Sequence, residues 1–145
     1  MATSSTVTTV KAALLTRLAL RAGLAGVDLA YGWSGDFGSE AIFFGSTRGA
    51  HENPVTTGGR VPRDERYMMN VIVSVSSEGG TPQEAEDRAF DLLAEVENEL
   101  ADTPRLGLTV IDWAAARDFE SQAGPTPEGG LAEIRLGVEV FAQLQ

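Results

Sequence analysis

Cysteine is absent from the 145 residues, and histidine occurs once, as His51. Without cysteine there is no disulfide framework, no thiolate zinc site and no cysteine nucleophile. A single histidine supplies too few nitrogen ligands for a zinc or other transition-metal site. A Ser-His-Asp triad would need that one residue oriented by a carboxylate and set beside a nucleophile. His51 stands in a polar stretch next to Glu52 and Asn53 and reads as a solvated loop histidine. Long apolar runs are missing as well. Lys11 and Arg17 break the most apolar stretch, which excludes a secretory h-region or a membrane span there. Bases are scarce, 11 against 21 acids for a net charge of −10, and such a surface repels the phosphates of nucleic acid.

Acid is in turn missing from residues 1–27, which hold Lys11, Arg17 and Arg21. A Ser/Thr-rich, Arg-bearing, acid-free start has the composition of a mitochondrial presequence. A first helix packed on the domain explains the same residues.

What is present suits one globular domain spanning residues 1–145. The apolar share of 43% and the charged share of 22% are ordinary for a folded chain. A chain of this length buries roughly 68–70% of its unfolded surface, enough for one core without staples.

Residues 1–5 read as a small, disordered polar tail. Val7, Val10, Leu14 and Leu18 recur at helical spacing, with Ala13 and Leu15 widening the stripe. The spacing predicts a helix over 7–22, with Thr6 as N-cap and Gly23 past its end. Val27, Leu29, Tyr31 and Trp33 alternate with small or polar residues, and Ile42, Phe43 and Phe44 make a second strand over 40–46. With a Gly-rich turn between them, the two are expected to form a hairpin. Residues 47–64, with Pro54, Gly58, Gly59 and Pro62, read as a long loop. Tyr67–Ser77 is the clearest strand: Tyr67, Met69, Val71, Val73 and Val75 point one way, Met68, Asn70, Ile72, Ser74 and Ser76 the other.

Thr81-Pro82-Gln83-Glu84 opens a helix over about 82–101, with Thr81 capping, Pro82 at the first helical position and Glu84 reaching back. Its buried stripe is Ala85, Ala89, Leu92, Val96 and Leu100; Glu86, Asp87, Glu95 and Glu97 face outward. Two further strands, 108–121 and 131–144, flank a Gly/Pro-rich turn at 122–130. The expected architecture is α+β in the order α-β-β-β-α-β-β. It is a mostly antiparallel or mixed sheet of about five strands with both helices on one face.

Catalytic chemistry is hard to find. Gly32, Gly35 and Gly38 match neither a dinucleotide nor a P-loop fingerprint, no lysine follows, and a strand comes next. Asp36-Phe37-Gly38 echoes a kinase tripeptide without the catalytic loop. The carboxylates of the second helix read as a solvated face. No nucleophile–base pair is visible, so neither an enzyme nor a cofactor is expected.

Two features point to contacts with other chains. Arg48, Arg60, Arg63 and Arg66 cluster in or beside the long loop, interleaved with Asp64 and Glu65. Mixed signs there suggest salt bridges within or between subunits more than a phosphate site. The second sheet face, with Asp28, Ala30, Phe43, Met68, Asn70, Ile72 and Ser74, is too apolar for solvent and too polar for a core. The candidate interface is therefore Arg48, Arg60, Arg63, Asp64, Glu65, Arg66, Met68, Asn70 and Ile72.

The stretch Arg63-Asp64-Glu65-Arg66-Tyr67-Met68-Met69-Asn70-Val71-Ile72-Val73-Ser74-Val75 is followed by Gly79-Gly80-Thr81-Pro82 and an Ala/Glu-rich helix ending in Glu97-Asn98-Glu99-Leu100. A strand with Trp113, a turn at Glu128-Gly129 and a closing strand over Ala132–Val140 complete the pattern. This order resembles the tail terminator proteins of siphophages and prophages. Its specific part is roughly 63–141, and no single motif in it carries chemistry. The resemblance implies a structural virion protein at the head-proximal end of the tail, assembled in the cytoplasm of a host bacterium. It implies a hexameric ring that stops polymerisation of the tail tube and then accepts the head-side connector or stopper. Its partners would be further copies, the tail tube protein and the connector, with DNA passing through the lumen unbound and no membrane involved. An acidic ring suits such a conduit. The competing readings are a head–tail connector, stopper or other minor tail completion protein, and a small oligomeric ligand-binding module.

Overall fold

A computed structural model of the chain describes residues 4–33, 35, 37–52 and 63–144, with Glu52 described by its backbone alone. The elements are α1 (Val7–Ala19), a 3₁₀ turn at Ala22–Leu24, β1 (Asp28–Ala30), β2 (Glu40–Glu52), β3 (Arg63–Glu78), α2 (Pro82–Asp102), β4 (Ile111–Thr126) and β5 (Gly129–Leu144). The strands form one sheet in the order β1-β2-β3-β5-β4. Only β1–β2 is parallel. Both helices lie on the same face, so the α+β architecture and its element order are as the sequence indicates.

The core is built on alternation. Tyr67, Met69, Val71, Val73 and Val75 of β3 and Ala132, Ile134, Leu136, Val138 and Val140 of β5 are buried on the helix side. Ala85, Ala89, Leu92, Leu93, Val96 and Leu100 of α2, and Val10, Leu14 and Leu18 of α1, close over them. Each large side chain so buried contributes about 1.5–3 kcal/mol. The two central strands pair along their whole length, about 50 Å at the usual rise per residue. The span of α2 is only about 30 Å. A second helix is needed to finish the layer, and α1 supplies it on the β2 side.

The acid-free start is packed, not pendant. Arg21 of the α1–β1 connection donates to Glu95 (2.6 Å) and Glu99 (3.2 Å) of α2, and Arg17 lies 3.7 Å from Glu99. The bases of the first segment thus neutralise part of the second helix. Lys11, 8% exposed, places its ammonium 5.2 Å from the Tyr31 ring centroid and 5.5 Å from that of Phe44, a cation–π seat. Burial holds its pKa below the ordinary lysine value.

Four boundaries differ from the sequence expectation. The first is β1, which covers three residues and runs parallel to β2 rather than forming a hairpin with it. The Asp28 carboxylate accepts the N–H of Gly38 (2.6 Å) and turns the chain back. Trp33 and Phe37 then pack on Phe43, with centroids 5.3 and 5.2 Å away, so the alternation past Ala30 serves an aromatic cluster and not a strand.

The second is the expected loop at 47–64. Thr47–Glu52 are strand, paired Thr47↔Met69 to Glu52↔Asp64 after a bulge between Phe44 and Thr47. Cross-strand hydrogen bonding overrides the poor strand propensity of Gly49, whose bare Cα is required because a Cβ there would lie 2.5 Å from that of Tyr67. Residues 53–62, including Arg60, lie outside the described residues.

The third is the turn at 122–130, which shrinks to Pro127-Glu128 between Thr126 and Gly129, with strand on both sides. Gly124 and Pro125 fit because β4 is an edge strand, where a missing N–H breaks no ladder. Gly130 admits close approach of α2: a Cβ there would stand 2.3 Å from the carbonyl oxygen of Thr81.

The fourth concerns α1, which stops at Ala19 and carries no side-chain cap from Thr6; Gly23 falls in the 3₁₀ turn. At α2, Thr81 does accept the Glu84 N–H, at 3.1 Å. Of the expected disordered tail, Ser4 and Ser5 are described, and the Ser5 hydroxyl accepts the Val7 N–H at 3.1 Å. Residues 1–3 lie outside the described set. Among the described residues no helix is long and apolar enough to cross a membrane.

Candidate interaction surface

Apart from the β2 corner, where Trp33 and Phe37 pack over Phe43, the face of the sheet opposite the helices has no layer over it among the described residues. Register sets its side chains in rows across β2, β3, β5 and β4. One row is Phe43, Ile72, Arg135 and Glu120; toward the chain's open end come Arg48, Met68, Glu139 and Ala115, and then Ala50, Arg66, Phe141 and Trp113. Met68, Asn70, Ile72, Phe141 and Trp113 are half-buried, and Arg48, Arg66 and Arg117 are exposed. Between the rows the face is shallow. Gly137 stands beside Asn70, and a Cβ on it would come within 2.1 Å of the Asp118 carboxylate and 3.4 Å of the Met68 sulfur.

Side-chain bonds knit this face into a stiff array. Arg135 donates to Asn70 (3.1 Å) and Glu120 (3.4 Å), and Asn70 donates to Ser46 (3.0 Å). Arg117 donates to Glu139 (3.1 Å) while its guanidinium covers Trp113, 5.2 Å from the ring centroid. Trp113 stacks on Phe141 at 6.1 Å, and Arg66 lies 5.1 Å from the Phe141 centroid. At the other corner Trp33, 67% exposed, leans on Phe43. Aromatic rings, methionine and arginine are enriched at contact surfaces, and this face joins them to Glu120, Glu133 and Glu139.

The candidate residues divide between the two faces. Arg48, Arg66, Met68, Asn70 and Ile72 share the open face, and alternation sets Asp64 there too. Arg63 and Glu65 belong to the helix side. Among the described residues neither Arg48 nor Arg66 forms an ion pair within the chain, and Glu65 pairs with His51.

Glu65 corrects the reading most. Its residue is 3% exposed. Its Oε1 accepts the Thr6 N–H (2.9 Å) and the Thr6 hydroxyl (2.7 Å). Because that hydroxyl gives its proton to Glu65, the Tyr67 hydroxyl, 3.1 Å from Thr6 Oγ1, is the donor to Thr6. His51 is exposed, as expected, but it is not in a loop: it sits on β2 opposite Glu65, with Nε2 3.1 Å from Oε2. Burial alone would raise the Glu65 pKa; hydrogen bonds from Ser5, Thr6 and His51 outweigh it and hold the carboxyl below its ordinary value. Burial pushes the Tyr67 phenol well above its usual range, so it stays neutral. Glu65 thus anchors α1 on the sheet.

Sequence reasoning missed Arg117, Arg135, Trp113 and Phe141. The signal for two of them lay in β5, where Arg135, Gly137, Glu139 and Phe141 alternate with the core residues and face the same way as Met68 and Ile72. Among the described residues no three His, Asp or Glu side chains converge as metal ligands would.

No protein-family model matches the chain, and no curated protein matches it. Its fold is similar to that of a chain in the solved structure titled "Virion of native gene transfer agent (GTA) particle". The TM-score is 0.61 over 97% of this chain and 99% of that one, at 13% sequence identity. At that identity the likeness is one of fold, and it takes in the whole domain rather than a shared fragment.

Proposed function

We propose that this chain is a structural virion protein of the tail terminator kind. It forms a ring on the tip of the tail tube, stops tube polymerisation and offers the surface to which the head-side connector or stopper binds. The observation that carries this reading is the open sheet face, a stiff, half-apolar surface that no layer covers beyond its β2 corner. Two others support it: the element order and strand–helix pattern of residues 63–141, and a fold similar along its whole length to a chain of a virion. The role is not catalytic. The chain's chemistry is spent on packing, with Glu65 and Tyr67 closing α1 onto β3 and the arginines of α1 and its connection meeting the carboxylates of α2. An acidic chain around a channel would let DNA pass without adhering.

Gold labelling of an epitope-tagged copy in intact virions tests the location. Label confined to the joint between head and tail is the expected result. Label along the tube, at the distal tip or inside the head would overturn the reading.

A further inference from the structure

Among the described residues the open sheet face carries unpaired charge of both signs, Asp118 and Glu133 on β4 and β5 and two arginines on β2 and β3. On the open sheet face Arg48 and Arg66 are exposed and have no carboxylate partner among the described residues. Arg66 instead lies against Phe141. On the far side of the molecule, the outward stripe of α2 exposes Glu84, Asp87, Asp91 and Glu97, and none of these four forms an ion pair among the described residues. The acids of α2 that do pair, Glu95 and Glu99, are the half-buried and buried ones held by Arg21.

The acidic stripe also has an apolar flank. Phe90, 36% exposed, meets Phe119 of the β4 edge, 59% exposed, with ring centroids 5.7 Å apart. Ala94 and Ala101 are exposed along the same helix. A helix surface with small residues, an exposed aromatic pair and free carboxylates complements a shallow sheet face with glycine, aromatic rings and free arginines.

We infer that a second copy of this chain covers the open sheet face with the outer surface of its α2, Arg48 and Arg66 of one copy meeting the α2 carboxylates of the next. The inference rests on the ring-forming reading above and names the surfaces that make the ring. The two patches lie on opposite faces of one domain, so the contact is heterologous. Each copy offers one patch to each neighbour, and the series closes into a ring where the rotation per copy divides a full turn. Copies packed sheet face to sheet face would leave the α2 carboxylates and the Phe90–Phe119 pair uncovered.

Sedimentation of the full chain over a concentration series up to near-millimolar tests this. The wild type is expected to form multimers. Arg48→Glu with Arg66→Glu, and separately Asp87→Lys with Glu97→Lys, should each stay monomeric, the association weakened by at least about tenfold for each reversed pair. All four positions are exposed, and circular dichroism shows whether each variant is folded. In an equimolar mixture of the two double variants the intact sheet face meets the intact helix face and the reversed sheet face meets the reversed helix face, so multimers of alternating variants should return. Multimers of the α2 variant alone, a mixture that stays monomeric although both variants are folded, or a wild type monomeric at every concentration would each overturn the inference. The tail-terminating role is judged separately by gold labelling and tail length, so one can fail while the other stands.

Discussion

Replacing Glu65 by alanine is expected to lower the thermal midpoint by roughly 6–12 °C, the shift that a loss of ~3 kcal/mol produces in a domain of this size. The carboxylate is the one acceptor that serves the backbone N–H of Thr6, its hydroxyl and His51 at once. Removing it strands the buried N–H and hydroxyl of Thr6, whose desolvation is then uncompensated, and takes a partner from the exposed His51. Because Thr6 leads directly into α1, the loss should free that helix first, and amide hydrogen exchange in Val10–Leu18 should rise before exchange in α2. Glu65→Gln keeps an oxygen for Thr6 and should cost less, about 1 kcal/mol.

The same residue sets a pH dependence. Its folded pKa lies below its ordinary value, so its stabilising contribution is complete above the unfolded pKa and drains away as pH falls through the folded one. Below about pH 4.5 the wild type should therefore lose midpoint more steeply than Glu65→Gln, and the two curves should converge in acid. An alanine variant that melts with the wild type would show that α1 is held by its apolar stripe alone.

Ile72→Lys should abolish assembly while leaving the monomer folded. Ile72 is half-buried at the middle of the open face, between Phe43 and Arg135. In the free chain a lysine there reaches solvent along its own stem, and the change in stability should stay within about 1 kcal/mol. Under a neighbouring copy the lysine would remove an apolar contact from the middle of the face and be desolvated beside the like charge of Arg135. That penalty is several-fold larger than the stability change in the monomer. Sedimentation and complementation of a deletion measure the two halves of the expectation. Wild-type association by a folded Ile72→Lys protein would mean that another surface forms the contact.

Much of the fold is legible in the sequence because its two strongest signals are periodic. The period of two in Tyr67–Val75 and in Ile134–Val140 sets which residues line the core, and the stripe Ala85–Leu100 sets the helix that covers them. These patterns also show which side chains must face away, so Met68, Asn70 and Ile72 are rightly placed on one open surface. What the sequence hides depends on distant partners. Thr47–Glu52 becomes strand because β3 pairs with it, against the propensities of its own glycine. Glu65 resembles its charged neighbours in sequence, and only the arrival of Thr6 and His51 makes it an internal anchor. Trp113 and Phe141 are far apart along the chain; pairing of β4 with β5 stacks them.

The proposed role of this protein is to end tail growth. Negative-stain microscopy of particles from a phage or prophage whose copy of this gene has been deleted tests that role directly. Tails of uncontrolled length without attached heads are predicted, with normal virions restored by the intact gene. Tails of normal length joined to heads in the absence of the protein would contradict it.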